Sequence, residues 1–138
     1  MIKIQKEDFN PEEEIEKIKN LYSNVGAVTS FTGYVRDFNN NNKVQSIDLE
    51  VYSKMAYKQL QKILDETTLK WNVIDCLIIH RYGKLNVNSK ILLVSCFSEH
   101  RNDSFESCKF IMDYLKKDAP FWKNEYYNSK SEWLKNSN

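Results

Sequence analysis

Apolar and polar residues recur along this chain with two periods, and the switches between them mark its elements. Residues 2–5 (IKIQ) alternate with period two and predict a short strand. Asn10, Pro11 and the acidic run 12–14 follow. They supply a side-chain acceptor for free N–H groups, a residue suited to the first helical position, and negative charge at the positive end of the dipole. Ile15, Ile18, Leu21 and Tyr22 fall on one face of the helix begun there. Residues 25–36 (VGAVTSFTGYVR) are rich in β-branched and aromatic side chains and predict a strand. Residues 37–43 (DFNNNNK) predict a mobile, asparagine-rich loop. Over 44–52, Ile47, Leu49 and Val51 alternate with Asp48 and Glu50, the signature of a half-buried strand.

A second helix is predicted over 53–71, with Ala56, Leu60, Ile63, Leu64 and Thr67 on one side. Strands follow at 73–82 and 90–97, joined through Gly83 and a turn at 86–89. Asp103 with Glu106 forms a capping-box-like start for a third helix, whose stripe reads Phe105, Cys108, Met112 and Leu115. Ala119-Pro120 ends it, because the residue before proline is driven out of helical geometry. Residues 121–138 are aromatic, then charged and polar, and are expected to fray at their end. The order βαββαββα, without repeat or linker, argues for an α+β fold in a single domain over 1–138.

Composition removes several function classes. With 41% hydrophobic and 28% charged residues and a net charge of +1, the chain is ordinary globular material, without the overall charge of a polyanion-binding surface. No apolar run is long enough to span a bilayer, and residues 1–7 do not form a secretory signal, so the expected location is the cytoplasm. Gly26, Gly33 and Gly83 are the only glycines, which leaves neither a phosphate loop nor a dinucleotide fingerprint. Two histidines, His80 and His100, are too few for an ordinary zinc site, so no metal is expected. Cys76, Cys96 and Cys108 match no metal or redox spacing and read as buried, reduced thiols.

The remaining candidates are basic groups at the ends of elements. Arg36 closes a strand; His100 and Arg101 stand where another strand gives way to the third helix; Lys116 and Lys117 close that helix; Lys123 follows Phe121-Trp122. Two readings are open. One is a set of solvated termini, with the lysines favoured by the helix dipole. The other is an anion pocket, with Arg as a planar fork, Lys as a point charge, and the aromatic pair walling a flat heterocycle or packing in the core. His80-Arg81, inside an apolar strand, reads as structural.

The segments GAVTSFTGYVR (26–36), LEVY with Met55, IHRYGKL (79–85), SEHRNDSFES (98–107) and FIMDYLKKDAPFWKNE (110–125) resemble the catalytic (large) subunit of molybdopterin synthase, in that family's order and spacing. The resemblance implies an α/β hammerhead-type fold with mixed and antiparallel sheets and three main helices. It also implies a homodimer that binds two copies of a small ubiquitin-like sulfur carrier, giving a heterotetramer. The carrier's Gly-Gly tail ends in a thiocarboxylate, which supplies the sulfur, so no cofactor is implied. The substrate implied is cyclic pyranopterin monophosphate (precursor Z), converted to molybdopterin by two sulfur transfers. By position, Lys116 and Lys123 match the family's catalytic lysines. Arg36, His100 and Arg101 match its substrate-pocket residues, and Phe121 and Trp122 frame the site. The chain departs from the family pattern at Val51, Ser53-Lys54, Asn88-Ser89 and Glu132. Three other readings carry less. A docking module without turnover sits poorly with retention of both lysines. A single-stranded nucleic-acid binder lacks a basic stripe. A cysteine persulfide transferase needs a reactive thiol.

Overall fold

The computed structural model describes residues 1–39, 42–43, 45–118, 121–127 and 130–135, with side chains placed over 1–37 and 45–117. The elements run β1 (Ile2–Gln5), α1 (Pro11–Lys19), β2 (Ala27–Tyr34), β3 (Phe38–Asn39), β4 (Asn42–Lys43), β5 (Ser46–Val51), α2 (Ser53–Lys70), β6 (Val73–Arg81), β7 (Gly83–Asn86), β8 (Lys90–Ser98), α3 (Arg101–Asp118), β9 (Phe121–Tyr127) and β10 (Lys130–Lys135).

The two longest apolar strands, β6 and β8, pair antiparallel in the middle of a four-stranded sheet of order β1-β6-β8-β2. β1 joins parallel to β6 and β2 antiparallel to β8, so this sheet is mixed. A second, antiparallel sheet has the order β10-β9-β5-β7. The α+β expectation with mixed and antiparallel sheets and three helices therefore holds.

Alternate residues of β6 and β8 serve two cores, as the period of two requires. Cys76, Ile78, Leu92, Val94 and Cys96 pack with Ala56, Leu60, Ile63 and Leu64 of α2 and Cys108, Ile111 and Leu115 of α3. Leu77, Ile79, Leu93 and Phe97 pack on the opposite face with Phe9 and Ile18. The side chain of Asn10 accepts from the Glu13 N–H and starts α1 as expected. That helix stops one turn earlier than its apolar spacing suggests. Leu21 is 67% exposed, while Tyr22 turns aside to donate from its hydroxyl to Asp75 Oδ2 at 2.7 Å.

The third helix starts at Arg101, ahead of the capping-box signal, and its buried face is rotated from the apolar one. Phe105 is 60% exposed, whereas Ser104 and Ser107 are buried beside Cys108, Ile111 and Leu115. Small side chains let the helix approach the sheet, and their hydroxyls are satisfied there. Thr29 Oγ1 donates to Ser104 Oγ at 2.8 Å, and Ser104 Oγ donates to the Arg101 carbonyl at 2.9 Å. Gly26 permits another close approach: a Cβ on it would collide with the Glu99 carbonyl, while its N–H donates to Ser98 O at 2.9 Å.

Two further expectations need correction. Residues 37–43 contain a short pairing, β3 with β4, within the expected loop. Residues 121–127 and 130–135 form β9 and β10 instead of an aromatic tail, because β5 offers β9 a full antiparallel partner over Ser46–Val51. The helix stop expected at Ala119-Pro120 lies outside the described residues.

Helix α2 carries an internal stability test. Leu60 is fully buried and Leu69 is 87% exposed. Leu60→Ala is expected to lower unfolding free energy by about 2–5 kcal/mol in urea denaturation, and Leu69→Ala by no more than about 0.5 kcal/mol.

Candidate functional site

A cavity of about 360 Å³ opens where the end of α3 meets the first sheet and β5. Phe31 and Gly33 of β2, His80 of β6 and Leu92 of β8 form one side of it. Leu49 of β5 and Met112 and Leu115 of α3 form the other, and Arg36 lines it just beyond β2. Most of this lining is apolar, so the few polar groups decide what the cavity holds.

Arg36 is placed by its neighbour. The Val35 N–H donates to the Ser89 carbonyl and the Val35 carbonyl accepts from the Asn88 N–H, both at 2.9 Å. Asn88 itself has φ 73, a left-handed geometry that asparagine tolerates better than most residues. The turn between β7 and β8 thus clamps the chain at Val35 and leaves the Arg36 guanidinium exposed next to the cavity. A planar, permanently charged fork beside an apolar chamber suits an anionic group at the head of a larger ligand.

His80 is 4% exposed, and its Nδ1 donates to the Arg81 carbonyl at 2.9 Å. Burial drives its pKa down to about 4, against the opposing pull of that hydrogen bond. The ring is therefore neutral near pH 7 and adds no charge to the cavity. Its structural reading stands, with the addition that it lines the site.

Lys116 directly follows Leu115 and lies exposed in the last turn of α3, one residue from the cavity wall. Lys123 is on β9, paired with Leu49; Trp122 pairs with Glu50 and Phe121 with Val51. This pairing carries the backbone of all three to the strand that lines the cavity, while their side chains lie outside the described ones. The structure thus brings Arg36, Lys116 and the Lys123 backbone to one end of the molecule.

It does not bring His100 and Arg101 there. His100 sits in the bend before α3, and Arg101 is the first residue of that helix. Fifteen residues at 1.5 Å each separate Arg101 from Lys116, roughly 22 Å along the axis. The two ends of the β2–β8 ladder tell the same story: Ala27 pairs with Ser98 near His100, and Tyr34 pairs with Lys90 near Arg36.

The three cysteines are buried and unbridged. Cys76 Sγ lies 3.7 Å from Cys96 Sγ in the core beneath α3. Hydrogen bonding to Cys96, together with burial, pushes the thiols of Cys76 and Cys108 up. Cysteines buried in an apolar core in this way are inert towards substrate. No group of His, Cys, Asp and Glu among the described residues is arranged to hold a metal ion. None of the described helices is long and apolar enough to cross a membrane.

Reasoning from the sequence missed Phe31, Gly33, Leu49 and Leu92 as cavity residues. Only Gly33 carried a usable signal, since a glycine inside a strand often marks a bulge or a close approach. The β2 register does shift between Gly33 and Tyr34.

A family model described as MoaE protein matches residues 4–118. The molybdopterin synthase catalytic subunit of Ralstonia nicotianae is 43% identical over 133 residues, covering 96% of this chain and 76% of that protein. Among solved structures, a molybdopterin biosynthesis MoaE protein from Burkholderia ambifaria superposes with a TM-score of 0.87 at 37% identity, over 100% of this chain and 90% of that one. Molybdopterin synthase from Staphylococcus aureus superposes with a TM-score of 0.88 at 31% identity, over 96% of both.

The buried His80 generates a pH prediction. Its folded pKa of about 4 lies below the ordinary value of 6.5, so the unfolded chain binds the extra proton between those limits. Stability associated with the neutral ring is present above pH 6.5 and is lost as pH falls towards 4, by up to about 3 kcal/mol. Denaturant unfolding at pH 7, 5.5 and 4.5 is expected to show a flatter pH dependence for His80→Gln than for the parent chain. Parallel curves would contradict this.

Proposed function

Because the chain belongs to the MoaE protein family of molybdopterin synthase catalytic subunits, we propose that it converts cyclic pyranopterin monophosphate to molybdopterin by two sulfur transfers. The donor is the thiocarboxylated C-terminus of a small ubiquitin-like partner subunit. The observation that carries this reading is the cavity that Arg36 lines beside Lys116, with Lys123 paired to cavity-lining Leu49. Both reactants are anionic: one bears a phosphate, the other a thiocarboxylate. Fixed cations around an apolar chamber offset those charges and hold the reactants together.

Lys116 serves as the principal general acid/base while the thiocarboxylate sulfur bonds to the substrate carbon and water then cleaves the acyl–sulfur bond, releasing the carrier as its carboxylate and leaving the sulfur on the pterin. Lys123 orients the tail or neutralises its charge. Arg36 grips the phosphate and pterin, and Phe121 and Trp122 frame the site. Sulfur arrives already activated on the carrier, so this chemistry calls for no cofactor of the chain's own.

His100 and Arg101 act on the substrate from a second copy. Their separation of roughly 22 Å from Lys116 is too great for one chain to place all three on one small ligand, and a two-fold dimer repeats each surface on the opposite side. The working unit is thus a homodimer carrying two sulfur carriers.

Single turnover with thiocarboxylated carrier and the cyclic pterin phosphate tests the chemistry. Product is expected from the parent chain, with a loss of at least about 100-fold in Lys116→Ala; near-full turnover in that variant overturns its role. Mixing tests the dimer. Lys116→Ala and Arg101→Ala, each inactive alone, are expected to regain partial activity when co-refolded, because one site of the mixed dimer receives both intact residues. No recovery places the two residues in one chain's site.

A further inference from the structure

The cavity floor contains one lateral row across three strands. His80 pairs with Leu92, and Leu92 pairs with Gly33. Residues directly opposite in antiparallel strands share a face, and all three line the cavity. The row therefore carries an imidazole, then an isobutyl group, then no side chain at its β2 end.

Phe31 stands two residues before Gly33 on the same strand and hence on the same face. Its ring leans into the space that a side chain at 33 would take. A Cβ built on Gly33 would lie 3.2 Å from Phe31 Cε1, 3.8 Å from Cζ and 3.9 Å from Leu92 Cβ. The ring is 41% exposed, so it is a wall held on one side by the strand and free on the other to set how wide the chamber is. The register shift immediately after Gly33 then leads the chain to Arg36 at the same cavity.

The geometry points to Phe31 and Gly33 as a specificity-determining pair that sets the cross-section of the cavity and admits a peptide terminus made of glycine while rejecting one that carries a Cβ. This rests on the reading that the cavity receives the carrier's Gly-Gly tail. The lining on the far side, Leu49, Met112 and Leu115, is apolar and largely buried, whereas the Phe31 ring opposite it is partly exposed and is the wall over this row that can yield to extra volume in the occupant. A methyl group on Gly33 pushes that same ring from below. The two perturbations act on one gap from opposite sides, and removal of the ring relieves both.

The test uses unreactive carboxylate carrier, with either a Gly-Gly tail or one whose penultimate glycine is alanine, titrated calorimetrically into the intact protein. The parent chain is expected to bind the alanine tail about ten-fold more weakly. Phe31→Ala should shrink that ratio to near unity. Gly33→Ala should weaken the Gly-Gly tail several-fold, and Gly33→Ala with Phe31→Ala should recover it. If Gly33→Ala does not fold, the Phe31→Ala ratio still decides. Equal binding of both tails by the parent chain, or an unchanged ratio in Phe31→Ala, overturns the proposal while leaving the carrier reading intact. Failure of either carrier to bind overturns both.

Discussion

Strands β6 and β8 run antiparallel through the first sheet with residues 76–80 and 91–98 all shielded from water. A strand pair buried on both faces cannot exist without a cover on each side, since its backbone is satisfied only laterally and its side chains need apolar neighbours above and below. This requirement accounts for much of the architecture. Helices α2 and α3 close one face, and α1 with Phe9 closes the other. Beside the last turns of α3, where Met112 and Leu115 face the sheet, a gap remains over His80, Leu92 and Gly33, and the gap is the cavity.

Close approach of α3 is secured by hydroxyls. Ser104 and Ser107 are small enough to bring the helix near β2 and β8, and polar enough to be costly if left without partners. The contact from Thr29 to Ser104, with Ser104 bonded in turn to Arg101 O, meets that need. A helix seated by larger apolar residues would ride higher and shift Met112 and Leu115 away from the sheet. The chemistry of Ser104 near one end of α3 therefore bears on the geometry of Lys116 near the other.

Local pattern made the helices and central strands legible. Asn10-Pro11, the stripe of α2 and the aliphatic runs of β6 and β8 all state their structure within a few residues. β9 and β10 did not, because FWKNEYY and KSEWLK lack clean alternation: β9 acquires its strand from pairing with β5, seventy or more residues earlier in the chain, and β10 from pairing with β9. Phe105 misled because a periodicity argument counts it as core, whereas the helix turns its serines inward. At the site, Arg36, Lys116 and Lys123 were visible through their position at element ends and through family resemblance. The walls were not, since Leu49, Leu92 and Phe31 are ordinary apolar residues until the two sheets bring them together.

The continuous α3 also behaves as a ruler that carries phase as well as length. Arg101 and Lys116 are locked to one rigid body, so a single residue inserted anywhere between them would rotate one end by about 100° relative to the other and lengthen the span by about 1.5 Å. Either the serines would leave the sheet or Lys116 would swing off the cavity rim. The β3–β4 pairing between β2 and β5 is built differently: two residues on each side make it, so its register is set locally.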